Sequence, residues 1–273
     1  FHNLSTGQSI LLKGTMNMKN RNKIIHSLCF LSVFTVIAMA AAYQNVSVPA
    51  ISSISEKKTV ILDAGHGGMD SGCVGVNGCY EKDINLAIVK NLEQLLTVSG
   101  FEVVLTRSED VSIYDDGVEG IRNQKVSDME NRLEIVQSYP DAIFLSIHQN
   151  QFTEAEYFGA QMFYTTNNAG NFQLAQTMQS CFAELQPGND REVKLIDNGL
   201  YLFKDTKQVA LLIECGFLSN ENDAGNLTDS EYQKKVAFTI YKGLLQYLNQ
   251  SEQADVQITE EISGKAENSI YMQ

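Results

Sequence analysis

Two histidines and two glutamates are the residues of this chain most suited to chemistry. Of its 4 histidines, His2 and His26 fall in an amino-terminal leader, which leaves His66 and His148 to the segment that folds. Each follows an apolar run: residues 60–62 lead into Asp63-Ala64-Gly65-His66-Gly67-Gly68, and residues 142–147 lead into His148, Gln149 and Asn150. A third apolar run, 209–213, delivers Glu214. Glu81 opens a segment with Ile84, Ile88, Leu92 and Leu95 at helical spacing, so its carboxylate sits on a first helical turn, able to face His66. Two imidazoles and one carboxylate form a zinc-ligand set with an open fourth position, the arrangement of catalytic zinc. The remaining carboxylate is then free to move protons. Zinc lowers the pKa of a bound water from about 15.7 to about 7, and a glutamate beside it can pass a proton to a leaving amine, so the reaction class is amide hydrolysis. The residues alone leave open which glutamate does which. A glutamate on a first helical turn also serves the helix dipole, worth about 0.3–1 kcal/mol, and one at a strand end also serves an ion pair.

The positioning elements follow from periodicity. From Thr59 onward, strand-like and helix-like segments alternate, which predicts an α/β layered domain with a largely parallel sheet. Strands are expected at 59–62, 101–106, 142–147, 160–164 and 209–213, and helices at 81–99, 119–138, 171–185 and 231–249. Ligands of open α/β sheets bind at the carboxyl ends of the strands, where His66, His148 and Glu214 stand. The glycines around His66 permit positive φ and close approach. Residues 149–158 carry Glu154, Glu156, Tyr157 and Phe158 without periodicity and form a loop over or beside the site, with no rigid element to aim the carboxylates at a metal. Arg107 and Arg132 are expected to be structural, holding carboxylates near strand ends.

At 273 residues, 44% hydrophobic and 19% charged, the chain supports one substantial core. Its formal charge of −13 argues against nucleic acid and anionic lipid as partners. Residues 1–18 are upstream or unstructured. Residues 19–42 have three basic residues, an apolar stretch and Ala-x-Ala endings, and read as a signal peptide or membrane anchor that exports the protein and forms its only link to a membrane. Residues 43–56 are a linker, 57–250 the catalytic domain, and 251–273 an acidic tail expected to be disordered. Of the 5 cysteines, Cys29 lies in the leader, and Cys73, Cys79, Cys181 and Cys215 lack the spacing of a closed zinc site. Cys73 and Cys79 are expected as free thiols.

Four blocks, DAGHGG at 63–68, EKDINL at 81–86, SIHQN at 146–150 and ECGFLSN at 214–220, carry a resemblance to the zinc-dependent N-acetylmuramoyl-L-alanine amidases of bacterial cell-wall remodelling. The resemblance implies a single α/β domain with a mixed, mostly parallel sheet of about six strands flanked by helices. It also implies zinc bound by His66, Glu81 and His148, with Glu214 catalytic. The segment SDMENR at 127–132 and the longer loop after SIHQN look most like the CwlD type of endospore formers. That similarity implies action on spore cortex peptidoglycan, removal of stem peptides ahead of muramic-δ-lactam formation and germination, and a lipoprotein partner as in clostridial relatives. Gln149 stands where many relatives have alanine, and Cys215, after the catalytic glutamate, is expected to be a small packed residue. A catalytically silent peptidoglycan-binding regulator and a zinc peptidase acting on wall peptides are the alternatives.

Overall fold

The computed structural model describes residues 57–196 and 200–270, so the expected upstream segment, leader and linker lie outside the described residues. Six strands, β1 (Thr59–Ala64), β2 (Glu102–Leu105), β3 (Ile143–Asn150), β4 (Gln161–Tyr164), β5 (Lys194–Leu195) and β6 (Val209–Phe217), form one sheet in the order β2-β1-β3-β6-β4-β5. The four strands β2, β1, β3 and β6 run parallel, while β4 is antiparallel to β6 and parallel to β5. The mixed α/β sheet is therefore the one the sequence predicts.

Helices α1 (Glu81–Val98), α2 (Ile121–Gln137), α3 (Gly170–Leu185), α4 (Tyr201–Lys204), α5 (Glu221–Thr228) and α6 (Ser230–Ile270) cover both faces. The two-residue side-chain period of the strands sorts the core. Val60, Leu62, Leu145, Ile147, Leu211 and Ile213 pack against α1, α3 and α6. Ile61, Phe144, Ala210 and Leu212 pack on the opposite face with Val136 of α2 and Leu202 and Phe203 of α4. Sheets covered on both sides need strands that are apolar at every position, which is why these runs show no alternation. Each fully buried Leu, Ile or Phe contributes about 1.5–3 kcal/mol.

Three expectations change. β3 and β6 extend past residues 147 and 213, so His148 and Glu214 lie within strands rather than after them. The ladder continues because a register shift lets Asn150 pair with Phe217, giving β6 one extra residue over β3 after the His148 and Glu214 pair. Such a bulge re-aims side chains while pairing persists. The closing helix, expected to stop near residue 249, runs to Ile270 through the segment expected to be disordered. That segment holds no proline and is rich in Glu, Gln and Ala, all good helix formers. No helix among the described residues is long and apolar enough to cross a membrane.

Candidate metal centre and active site

The turn after β1 brings His66 into place by a costly backbone conformation. His66 has φ 63°, the sole positive φ of a non-glycine among the described residues. A non-glycine in that region is strained by about 1–3 kcal/mol and persists where its surroundings over-determine it. Here they do. The Arg132 guanidinium donates to the carbonyls of His66 (2.7 Å) and Ala64 (3.0 Å), and Arg107 donates to those of Ala64 (2.8 Å) and Gly65 (3.1 Å). Arg132 also pairs with Asp63 and Asp128, as expected of it. Arg107 departs from expectation: it holds backbone carbonyls, including that of Lys82 at 2.8 Å, rather than a carboxylate. Gly65 is required for space, since a Cβ there would lie 2.2 Å from the His148 ring.

His66, Glu81 and His148 converge. One ligand atom from each lies within 4.8 Å of the other two. Glu81 Oε1 is 3.2 Å from His66 Nε2 and 3.0 Å from His148 Nδ1. The other ring nitrogen of His66 meets Asp70 Oδ2 at 2.9 Å, and Lys125 holds the second oxygen of Asp70 at 2.9 Å. A carboxylate behind a ligand histidine fixes its orientation and tautomer. Burial disfavours the charged imidazole of His66, but its hydrogen bonds to Asp70 and Glu81 outweigh this and carry its pKa to about 9. Burial likewise works against the Glu81 carboxylate, and the two histidines override it, holding its pKa far below the usual range. Two imidazoles and a buried carboxylate on converging, rigid elements suit a divalent metal of the zinc type.

Glu214 stands apart from this trio. Its Oε2 is enclosed and has no hydrogen-bond partner among the described residues. Burial raises its pKa to about 7; the histidines pull the other way and Glu81 adds to the rise. It lines, with His66, His148, Arg132, Tyr201 and Leu202, a cavity of about 250 Å³ on the α2 and α4 side of the sheet. A buried carboxyl poised near neutral pH beside that trio is equipped to take up and return a proton.

The N-acetylmuramoyl-L-alanine amidase family matches residues 60–246. The chain belongs to that family. The amidase is 33% identical to the germination-specific N-acetylmuramoyl-L-alanine amidase of Bacillus subtilis over 226 residues, 82% of this chain and 94% of that protein. It is 42% identical to the CwlD amidase of Clostridioides difficile, solved in complex with the GerS lipoprotein, with a TM-score of 0.68 over 71% of this chain and 99% of that one. The catalytic domain of CwlV, an amidase of Bacillus (Paenibacillus) polymyxa, superposes with a TM-score of 0.59 at 31% identity, covering 70% and 98% of the two chains.

Other residues of the amidase fall where their chemistry directs. Glu154 and Glu156 are exposed on the loop after β3 and stand outside the ligand trio. That loop is pinned by Asn220, which donates to the Ala155 carbonyl at 2.8 Å and also caps α5 through Asn222 and Asp223. Cys73 and Cys79 are free thiols, and Cys215, within β6, is fully buried. Sequence reasoning missed Asp70, Asn85 and Lys125. A carboxylate four residues after a glycine-flanked histidine was the signal available for Asp70.

Proposed function

We propose that the amidase hydrolyses the amide between the lactyl carboxyl of N-acetylmuramic acid and L-alanine in peptidoglycan, using zinc held by His66, Glu81 and His148. The observation that carries this reading is the convergence of those three ligand atoms beside the enclosed, unpartnered carboxylate oxygen of Glu214. Held by these three residues, zinc would supply Lewis-acid polarisation and a water of pKa about 7. Glu214 would take up a proton from the attacking water as the water oxygen bonds to the carbonyl carbon. It then returns the proton to the alanine nitrogen as the C–N bond breaks, so the carboxylate is restored. Asp70 keeps the His66 ring aimed, and the cavity toward α2 and α4 takes the substrate.

The likeness to a germination-specific amidase and to CwlD supports a role in spore cortex peptidoglycan. There the amidase clears stem peptides ahead of muramic-δ-lactam formation and germination. The relative solved with a lipoprotein supports a lipoprotein partner for this chain as well. In this reading residues 19–42 export the protein, as signal peptide or anchor, to the space around the forespore. Mass spectrometry of muropeptides treated with the purified protein, with and without zinc, tests the reaction. Release of intact stem peptides with a free alanine amine, dependent on zinc, is the expected result. Cleavage within the peptide, or none, would overturn it.

A further inference from the structure

The Glu81 carboxylate is held by more than its histidine neighbours. Oε2 accepts the Cys73 backbone N–H at 2.8 Å, while Oε1, the oxygen facing both imidazoles, accepts the Gln149 backbone N–H at 3.1 Å and Asn85 Nδ2 at 3.3 Å. Asn85, one helical turn after Glu81, also donates from Nδ2 to the Gly65 carbonyl at 3.1 Å. Both demands on that amide are for a donor, so its Oδ1 points the other way, into the core, where it needs a donor of its own. Gln149 Nε2 supplies it at 3.1 Å. Asn85 is fully buried and Gln149 is 2% exposed, so bulk water does not compete for these bonds. The Gln149 side chain has little else to do there: its Oε1 is enclosed and has no hydrogen-bond partner among the described residues. Burying an amide oxygen so poorly satisfied costs about 1–3 kcal/mol.

We infer that Gln149 is a positioning residue for the metal site, acting through Asn85 to aim the Glu81 carboxylate. It ties the strand that carries His148 to the helix that carries Glu81, by its backbone directly and by its side chain through one intermediate. Without the side chain, Asn85 Oδ1 is a buried acceptor with no donor, and the amide gains by rotating away from Glu81 and Gly65. This inference rests on the zinc reading above.

The test is zinc affinity of the full chain, measured by competition with a chromogenic chelator, for the parent, Gln149→Leu, Asn85→Leu and the double variant. Loss of a partner behind a metal ligand typically costs about 10- to 100-fold in affinity. Gln149→Leu should fall in that range while its unfolding midpoint without metal stays close to the parent's. The double variant should be no weaker than Asn85→Leu alone, since Gln149 acts through Asn85. Parent-like affinity for Gln149→Leu, or losses that multiply in the double variant, would overturn the inference. Should Gln149→Leu fail to fold, Gln149→Met, unbranched and adaptable, carries the same measurement. A parent chain that binds no zinc would instead overturn the metal assignment itself.

Discussion

His148 and Glu214 are direct register partners across the parallel β3 and β6 ladder, the last pair before the bulge. Both point to the α2 and α4 face, two positions beyond Ser146 and Leu212, so the proposed metal ligand and the proposed proton carrier are placed by the sheet itself rather than by loops. Side chains on adjacent strands of one sheet keep their separation when loops move, which suits the roles proposed for this pair.

Replacing Glu214 separates catalysis from metal binding. Glu214→Gln keeps size and removes the proton-carrying function, so zinc content should match the parent while turnover of muropeptides falls by about 10²- to 10⁴-fold. Elemental analysis and a muropeptide assay on one preparation check both. In a spore former, the variant should build cortex without muramic-δ-lactam.

His66→Ala and His148→Ala should each lose zinc in elemental analysis of the folded protein, whereas Glu154→Ala should keep it. Retained full occupancy in both histidine variants would sink the ligand assignment, and loss of metal from Glu154→Ala would mean that the exposed loop closes onto the site.

Acid stability should report on Asp63. Burial alone would raise its carboxyl, but Arg132, His148 and the Ser146 and Thr106 hydroxyls outweigh burial and lower its pKa from 3.8 to about 2. A depressed folded pKa gives stability that is fully present above the unfolded value and lost as pH falls through the folded one. The contribution is therefore intact above about pH 4 and disappears toward about pH 2, amounting to roughly 2 kcal/mol at 1.36 kcal/mol per unit. Arg132→Met leaves Asp63 buried without its partner and should cost about 3–5 kcal/mol at neutral pH. The gap between the urea midpoints of parent and variant should narrow toward the acid end, leaving the loss of the Arg132 bonds to the Ala64 and His66 carbonyls.

Two glycines should respond in opposite directions. Gly65→Ala drives a methyl into the His148 ring and should weaken zinc binding at least as much as loss of a supporting hydrogen bond, about 10-fold or more. Gly225→Ala, inside α5 with open space at its Cβ, should raise stability by about 0.5–1 kcal/mol. Chelator competition and thermal melts distinguish the two.

Much of the sheet and the convergence of His66, Glu81 and His148 was legible because each of these residues follows a run of buried strand or opens an amphipathic helix, and both leave periodic marks. Gln149 and Asn85 left none: they meet across 64 positions, through an amide pair that no spacing rule anticipates. The overrun of β3 and β6 was hidden because the strands keep pairing through polar residues by way of a bulge. Arg107 was read as a carboxylate partner, but a guanidinium in a turn can serve carbonyls equally well, and the four it holds come from three separate segments. The overrun of α6 reflects local propensity in a segment whose acidic composition pointed to disorder.

The three converging ligands come from the turn after the first strand, the start of the first helix and the third strand, so a cation seated among them bridges segments distant along the chain. Such a cation binds the folded chain and has no assembled site in the unfolded one. It therefore shifts the folding equilibrium by mass action, by about 4.1 kcal/mol when free metal stands 1,000-fold above its dissociation constant. Under the proposed zinc assignment, the free metal level in the enzyme's compartment would govern its lifetime as well as its rate, and scarcity would thin the population of molecules through proteolysis of opened chains.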